Sequence, residues 1–223
     1  MGTVDGPGIR CVVFMQGCPL RCKCCHNPDT WDFNGGYEAD SGELAKKILR
    51  YKAYFGKKGG VTVSGGEPLC QAEFTLDLFR QCHKNGINTC LDTSGCRLDE
   101  GAKALLKETD LVLLDYKYSR DEDYLKYTLC KKENVLNFLF YLEKNKIPAI
   151  IRRVIIPGLN DDEESYRDLA NVTKWHTCVL KTELLPFRKL CLEKYEQMGL
   201  DFPLKNSREP SQAEIDADFG RFM

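Results

Sequence analysis

The sequence predicts an α/β fold whose core is a parallel six-stranded sheet. Three observations predict it. Short β-rich runs alternate strictly with amphipathic stretches along the 223 residues. One run, "DLVLLDYK", is continuously apolar, as in a strand buried on both faces. Residues able to do chemistry stand directly after successive strands. Repeated β–α units in strict order imply parallel pairing with right-handed crossovers.

Taken in order, "RCVVFMQG" reads as the first strand. "SGELAKKILRYKAYF" reads as a helix, with Leu44, Ile48, Tyr51 and Phe55 on one face and Ser41 as N-cap. "GVTVSGG" is strand two. "AEFTLDLFRQCHKNG" is a helix closed by Gly86. "INTCLDTSG" is strand three, "DEGAKALLKET" a short helix, and "DLVLLDYK" strand four. "NVLNFLFYLEKNK" is a helix with Val135, Phe138, Leu139 and Leu142 on one face. "PAIIRRVIIPG" is strand five, followed by the helix "DEESYRDLANVTKWH". "CVLKTELLPF" is strand six, and a last helix with a polar tail follows.

Two closures fit six such units: a doubly wound sheet, or a TIM-like barrel two units short. Cys18 follows strand one, and Gly65, Gly66 and Glu67 follow strand two. Asp92 and Thr93 end strand three; Asp115 and Lys117 end strand four. Chemistry at many successive strand tips is the pattern of a barrel, whereas a doubly wound sheet gathers it at one switch point. A partial (β/α)6 barrel is therefore expected, as one domain over residues 1–223. Residues 1–10 form an N-terminal flap, about 11–187 the barrel, and 188–223 a C-terminal helix and tail.

The chain is 43% hydrophobic and 29% charged, with a net charge of −1, so no bulk charge favours nucleic acid or an anionic membrane. It has no membrane-length apolar run and no secretory signal, which predicts a cytoplasmic protein. Its 12 cysteines are unevenly placed. In that compartment they are reduced thiols rather than a disulfide framework. Eight of them (Cys11, Cys70, Cys82, Cys90, Cys96, Cys130, Cys178, Cys191) are scattered and read as small buried hydrophobes.

The other four crowd into "CPLRCKCC". Thiolates bind zinc or iron–sulfur clusters. A closed zinc site wants two separated pairs of ligands, and no second CxxC exists. Cys24 and Cys25 are adjacent, and neighbouring side chains diverge. Cys18, Cys22 and Cys25 remain, spaced CxxxCxxC. Three thiolates on a four-iron cluster leave one iron open to another ligand, as a catalytic zinc keeps an open position.

CxxxCxxC followed by "SGGEP" (Ser64 to Pro68) resembles the radical S-adenosylmethionine superfamily. "GTVDGPGIR", "CHNPDTW", "CLDTSG", "LVLLDYK", "IIRRVIIPG" and "ELLPF" look like its glycyl-radical-enzyme activases. The likeness runs from Gly2 to about Phe187 and implies a barrel of the radical S-adenosylmethionine type. It also implies an activity: a [4Fe-4S] cluster, reduced by flavodoxin or ferredoxin, cleaves S-adenosylmethionine. The resulting 5′-deoxyadenosyl radical takes hydrogen from a backbone glycine of a large partner enzyme. The activase itself acts as a monomer.

By this resemblance Cys18, Cys22 and Cys25 hold the cluster. Cys24, His26, Gly65, Gly66, Glu67, Asp115, Tyr116, Lys117, Arg152 and Arg188 meet S-adenosylmethionine. A monovalent cation, Na+ or K+, sits at Asp92, Thr93, Asp115 and the carbonyl of Leu113. Charge logic agrees: two facing aspartates need a cation between them or a proton. Asp5, Gly6, Pro7, Gly8 and Arg10 engage the partner's glycine loop. Of Arg152 and Arg153, on opposite strand faces, one reaches the cavity and the other the helix layer.

The sequence departs from the family at two positions. Cys24 stands where relatives carry a ring near adenine, and Arg188 where they often carry His. Relatives also carry further residues before Gly2, so a shortened N-terminus is expected. From His26 to Gly66 there is no cysteine and no room for an inserted ferredoxin-like domain. That favours pyruvate formate-lyase as partner over the glycerol, choline or arylacetate enzymes; activases of anaerobic ribonucleotide reductases are shorter. A passive thiolate metal module or a closed-cluster redox carrier leaves the GGE turn and the acidic strand tips unexplained.

Overall fold

The computed structural model describes residues 2–3 and 5–223; Met1 and Val4, in the expected flap, lie outside the described residues. Six strands form one parallel sheet in sequential order: β1 (Arg10–Met15), β2 (Gly60–Gly65), β3 (Asn88–Thr93), β4 (Leu111–Asp115), β5 (Ala149–Ile155) and β6 (Val179–Pro186). Each strand pairs with the next, and the order never reverses. A doubly wound sheet requires a reversal, so the sheet is the open, partial barrel.

The helices are α1 (Ser41–Leu49), α2 (Lys52–Phe55), α3 (Ala72–Lys84), α4 (Glu100–Leu106), α5 (Asp121–Thr128), α6 (Lys132–Lys144), α7 (Glu163–Trp175), α8 (Leu192–Gln197) and α9 (Gln212–Phe219). The expected first helix is broken after Leu49. Its cap is Asp40, whose carboxylate accepts from the Glu43 amide at 2.9 Å, rather than Ser41, which turns to Asp77. The expected single C-terminal helix is two, α8 and α9. Helix α5 was not expected; it buries only Tyr124 and Thr128, too narrow a stripe to read by periodicity. No helix among the described residues is long and apolar enough to cross a membrane.

Strand alternation sorts the core. Val61, Val63, Leu91, Val112, Leu114 and Ile151 face the helices in the main apolar cluster. Cys90, Leu111, Leu113 and Ile150 fill the lumen. Each such side chain contributes about 1.5–3 kcal/mol by leaving water. Above this lumen layer, toward the C-terminal strand ends, the inward positions turn polar: Ser64, Asp92, Asp115 and Arg152.

The lower end is closed by Arg10. Its fully buried guanidinium donates to the Thr62 hydroxyl at 2.7 Å, the Val61 carbonyl at 2.8 Å and the Asn88 side-chain oxygen at 2.9 Å. The carbonyls of Pro7 and Lys58 take further bonds at 3.1 and 3.2 Å. The Thr62 hydroxyl in turn donates to the Asp5 carbonyl at 2.7 Å. The "DGPGIR" segment is thus folded onto the lower lumen. Arg10, expected to meet a partner, is instead a structural plug, because every strong donor it has is already bonded.

Candidate active site

Two loops build the upper site. The cysteine loop leaves β1 and is held by backbone bonds: Gly17 N–H to Thr30 O at 2.9 Å, Arg21 N–H to Thr128 O at 3.1 Å, and Lys23 N–H to Tyr127 O at 2.9 Å. The turn after β2 presses directly on its start. Gly66 N–H donates to Met15 O at 2.8 Å and Glu67 N–H to Gly17 O at 2.9 Å. A Cβ on Gly66 would lie 2.3 Å from the Gly17 carbonyl oxygen, and Gly65 has φ +101°. Both positions therefore require glycine. The expectation that these glycines admit a ligand gains a second reason: they let the two loops touch.

All four loop thiols are free and half-buried. Burial pushes each up: Cys18 and Cys24 to about 11, with Cys22 and Cys25 also raised. They are protonated at neutral pH, so loading with metal releases protons. Lys117 opposes the burial effect at all four. Burial works to discharge its own ammonium, but the Asp115 carboxylate beside it holds it charged. Lys117 Nζ lies 2.6 Å from the Asp115 carboxylate.

A narrow cavity opens above β4 and β5, with Cys24, Asp115, Lys117, Tyr118, Arg152 and Asn160 on its polar side and Val154 and Ile156 as an apolar wall. Arg152 turns inward and Arg153 outward, as alternation requires. Arg153 is fully buried and donates to the carbonyls of Tyr116 and Ser165 at 2.8 and 2.9 Å. Arg152 sits 3.4 Å from Asp92, and its Nε has no hydrogen-bond partner. Burial raises the Asp92 carboxyl to about 6 against the pull of Arg152, and the nearby Asp115 adds to the rise.

Several expected contacts are placed elsewhere. Glu67 is 2% exposed, and its oxygens accept from Leu69 N–H, the Thr93 hydroxyl, Ser94 N–H and the Ser94 hydroxyl. It braces the turn and has little left for a ligand ammonium. Tyr116 points outward, its hydroxyl donating to Asp168 at 2.8 Å. The Arg188 guanidinium turns to the Pro210 carbonyl at 2.6 Å; only its backbone faces the loop, where its carbonyl is 2.8 Å from His26 Nε2. The expected cation set is not assembled: Thr93 serves Glu67, Asp115 is paired with Lys117, and Asp92 with Arg152 and the Ser64 hydroxyl. The strand tips neutralise their own carboxylates.

Sequence reading missed Ser64, Tyr118 and Asn160. Asn160 is 1% exposed and ties strand to loop, donating to the carbonyls of Val154 and Lys117 at 2.9 and 3.1 Å and accepting from Ile156 N–H at 2.7 Å. The "PGLND" turn was the available signal.

The family model described as a 4Fe-4S single cluster domain matches residues 4–135. A pyruvate formate-lyase-activating enzyme from Clostridium pasteurianum is 48% identical over 92% of this chain and 87% of its own length. The pyruvate formate-lyase 1-activating enzyme of Escherichia coli K12 is 43% identical over 95% of this chain and 87% of its own. This chain belongs to the pyruvate formate-lyase-activating enzyme family. Among solved structures, a domain of such an activating enzyme from Bacteroides vulgatus superposes with a TM-score of 0.59 at 23% identity, covering 74% of this chain and 94% of that domain. Streptococcus suis SuiB bound to S-adenosylmethionine superposes with a TM-score of 0.68 at 13% identity, over 90% of this chain and 49% of that one. These likenesses carry the fold of the activating-enzyme family across wide sequence distance.

Proposed function

We propose that this chain activates pyruvate formate-lyase, as a [formate-C-acetyltransferase]-activating enzyme of the radical S-adenosylmethionine type. The observation that carries the reading is the junction of cysteine loop and GGE turn beside a cavity walled by Lys117, Asp115 and Arg152. Cys18, Cys22 and Cys25 hold a [4Fe-4S] cluster. The donor set fits it: the thiols are free, and Lys117 offsets thiolate charge. Among the described residues no three His, Cys, Asp or Glu converge on a single-ion site.

A cluster held by Cys18, Cys22 and Cys25 would supply one-electron reduction of bound S-adenosylmethionine, the radical chemistry that activating a glycine of the partner needs. The residues of the chain orient and shield. Lys117 offers a charge to the methionine carboxylate. The two glycines bring the GGE turn against the cysteine loop. Val154 and Ile156 form an apolar wall that would exclude water from a ligand in the cavity, and His26 is fixed by the Arg188 carbonyl. The partner's glycine loop enters between the edges of β1 and β6, where Phe14 and Ile9 are exposed. Reduced flavodoxin or ferredoxin is the electron donor, and the compartment is the cytoplasm, where such thiols stay reduced.

Anaerobic reconstitution followed by S-adenosylmethionine and a strong reductant tests this. Release of 5′-deoxyadenosine, and a glycyl radical on added pyruvate formate-lyase by electron paramagnetic resonance, are expected. No 5′-deoxyadenosine from a fully loaded chain overturns the reading.

A further inference from the structure

We infer that an acidic one-electron carrier protein docks on the outer face of the cysteine loop, where the end of α5 presents Leu125 and Leu129 beside four unpaired cations. The inference rests on the cluster assignment above and deepens it by giving the electron donor a surface.

Leu129 ends α5 with φ +64°, in the left-handed region that favours glycine. Its side chain is 60% exposed, and Leu125, one turn earlier, is 53% exposed. The Leu129 N–H donates to the Leu125 carbonyl at 3.0 Å, so the two share one face. A glycine at 129 would relieve the backbone and take apolar surface out of water. The leucine therefore does nothing for the isolated chain, and a strained, exposed apolar residue of this kind marks a contact surface. The same turn holds the cysteine loop. The Thr128 carbonyl accepts from Arg21 N–H at 3.1 Å, and the Tyr127 carbonyl from Lys23 N–H at 2.9 Å. Lys23 is bonded directly to Cys22, with their Cα atoms about 3.8 Å apart. The patch thus lies one backbone hydrogen bond from a residue that adjoins a cluster ligand.

Arg21, Lys23, Lys126 and Lys131 are exposed at this turn. None of the four joins an ion pair among the described residues; the adjoining pairs, Arg120 with Asp123 and Lys132 with Asp168, use other cations. The Arg21 guanidinium donates to the carbonyls of Cys18 and Leu20 at 2.8 and 2.7 Å, and the Lys126 ammonium stands 4.9 Å from the centre of the Tyr127 ring. The carboxylates of α5, Asp121, Glu122 and Asp123, are in its first turn, at the other end, and Glu133 belongs to α6. Unpaired positive charge around an apolar centre fits an acidic protein surface. An electron can cross the backbone of the loop, whereas a substrate glycine must reach the cavity itself. Helix α5 follows β4, three strands from β1 and two from β6, the edges assigned above to the glycine loop. The carrier and the large partner therefore use different faces. At the patch the reduced carrier loses one electron to the oxidised cluster; no bond forms or breaks and no proton moves.

The test is anaerobic stopped-flow reduction of the reconstituted chain by reduced flavodoxin, set against reduction by a photoreduced deazaflavin, which is too small to need a docking face. Lys126→Glu/Lys131→Glu should slow reduction by flavodoxin about tenfold at low salt and flatten its salt dependence. Leu129→Gly, which relieves the backbone, should slow it roughly fivefold. Both should match wild type in cluster content, in reduction by the deazaflavin, and in glycyl radical formed on pyruvate formate-lyase after that reduction. Lys57→Glu/Lys58→Glu makes the same charge change on exposed residues between α2 and β2, where the Lys58 carbonyl meets Arg10, and should leave the flavodoxin rate unchanged. A flavodoxin rate equal to wild type in either patch variant overturns the inference and leaves the function standing. Equal slowing in the Lys57→Glu/Lys58→Glu control shows net charge rather than a docking face, and also overturns it. Loss of glycyl radical after deazaflavin reduction assigns the patch to the large partner and overturns it too. A loaded wild-type chain that is reduced but forms no 5′-deoxyadenosine overturns the function, while the flavodoxin rates still decide the docking face. A wild-type chain that takes up no four-iron cluster overturns function and inference together.

Discussion

The two ends of the barrel each bury an arginine, and they treat it in opposite ways. At the lower end Arg10 has its guanidinium bonded on every nitrogen, chiefly to backbone carbonyls. At the upper end Arg152 keeps an unpartnered Nε and leans on Asp92 at 3.4 Å. Carbonyl acceptors cannot change their charge, whereas Asp92 can take a proton. The lower end is therefore built to stay as it is, and the upper end to be rearranged by a ligand.

The largest expected effect breaks the upper end outright. Cys18→Ala, Cys22→Ala and Cys25→Ala should each lose the cluster and all 5′-deoxyadenosine formation, while Cys24→Ala keeps both; iron and sulfide analysis decides. A Cys24→Ala chain without a cluster would show the ligand set to be wrong.

Next, Arg10→Gln should lower unfolding free energy by about 3–5 kcal/mol, the range for stripping one partner from a buried charged network. Arg152→Gln should cost about 1 kcal/mol or less, since Asp92 answers by protonating. Denaturant melts of the cluster-free chain compare them. Equal losses would erase the contrast between the ends.

A third prediction sharpens the contrast through pH. The Asp92 carboxyl is raised to about 6 in the folded chain. The folded state then holds more protons than the unfolded state between about pH 4 and 6. Its stability contribution falls as pH rises through that window, and ionised Asp92 is destabilising above it. Asp92→Asn should gain relative to wild type on going from pH 4 to pH 7, by at most about 3 kcal/mol. A gain toward low pH instead would reverse the sign and refute the buried-carboxyl account.

The smallest effect belongs to Glu183, whose carboxylate is 4.0 Å from Arg152 and partly exposed. Glu183→Gln should change stability by less than about 0.5 kcal/mol in the same melts.

The fold was legible because its signals are local and periodic. The apolar run at β4 and the strict β–α alternation give sheet order without any long-range knowledge. The cysteine loop was equally legible, and its spacing is what proposes Cys18, Cys22 and Cys25 as ligands. Tyr116 could have been read correctly, since a strand with Asp115 facing the lumen must turn Tyr116 to the helices. Glu67 and Arg188 could not. Their partners, Ser94 and Pro210, lie 27 and 22 residues away, and only folding brings them near. A carboxylate beside two glycines reads as a ligand contact until its acceptors are seen to be occupied. Helix α5 escaped because it buries so little, yet its end anchors Arg21 and Lys23 of the cysteine loop.

The cysteine loop is stitched to the far end of the chain. His26 meets the Arg188 carbonyl, Lys194 reaches Asn27 and Asp29, and Tyr195 packs edge-on against Trp31. During synthesis the loop leaves the ribosome well ahead of these partners, His26 preceding Arg188 by 162 residues. The order of assembly is therefore set by the fold: the loop reaches its final shape only once the segment from Arg188 to Tyr195 has been made. A chain interrupted before residue 188 carries all four loop cysteines but lacks the wall that holds their loop.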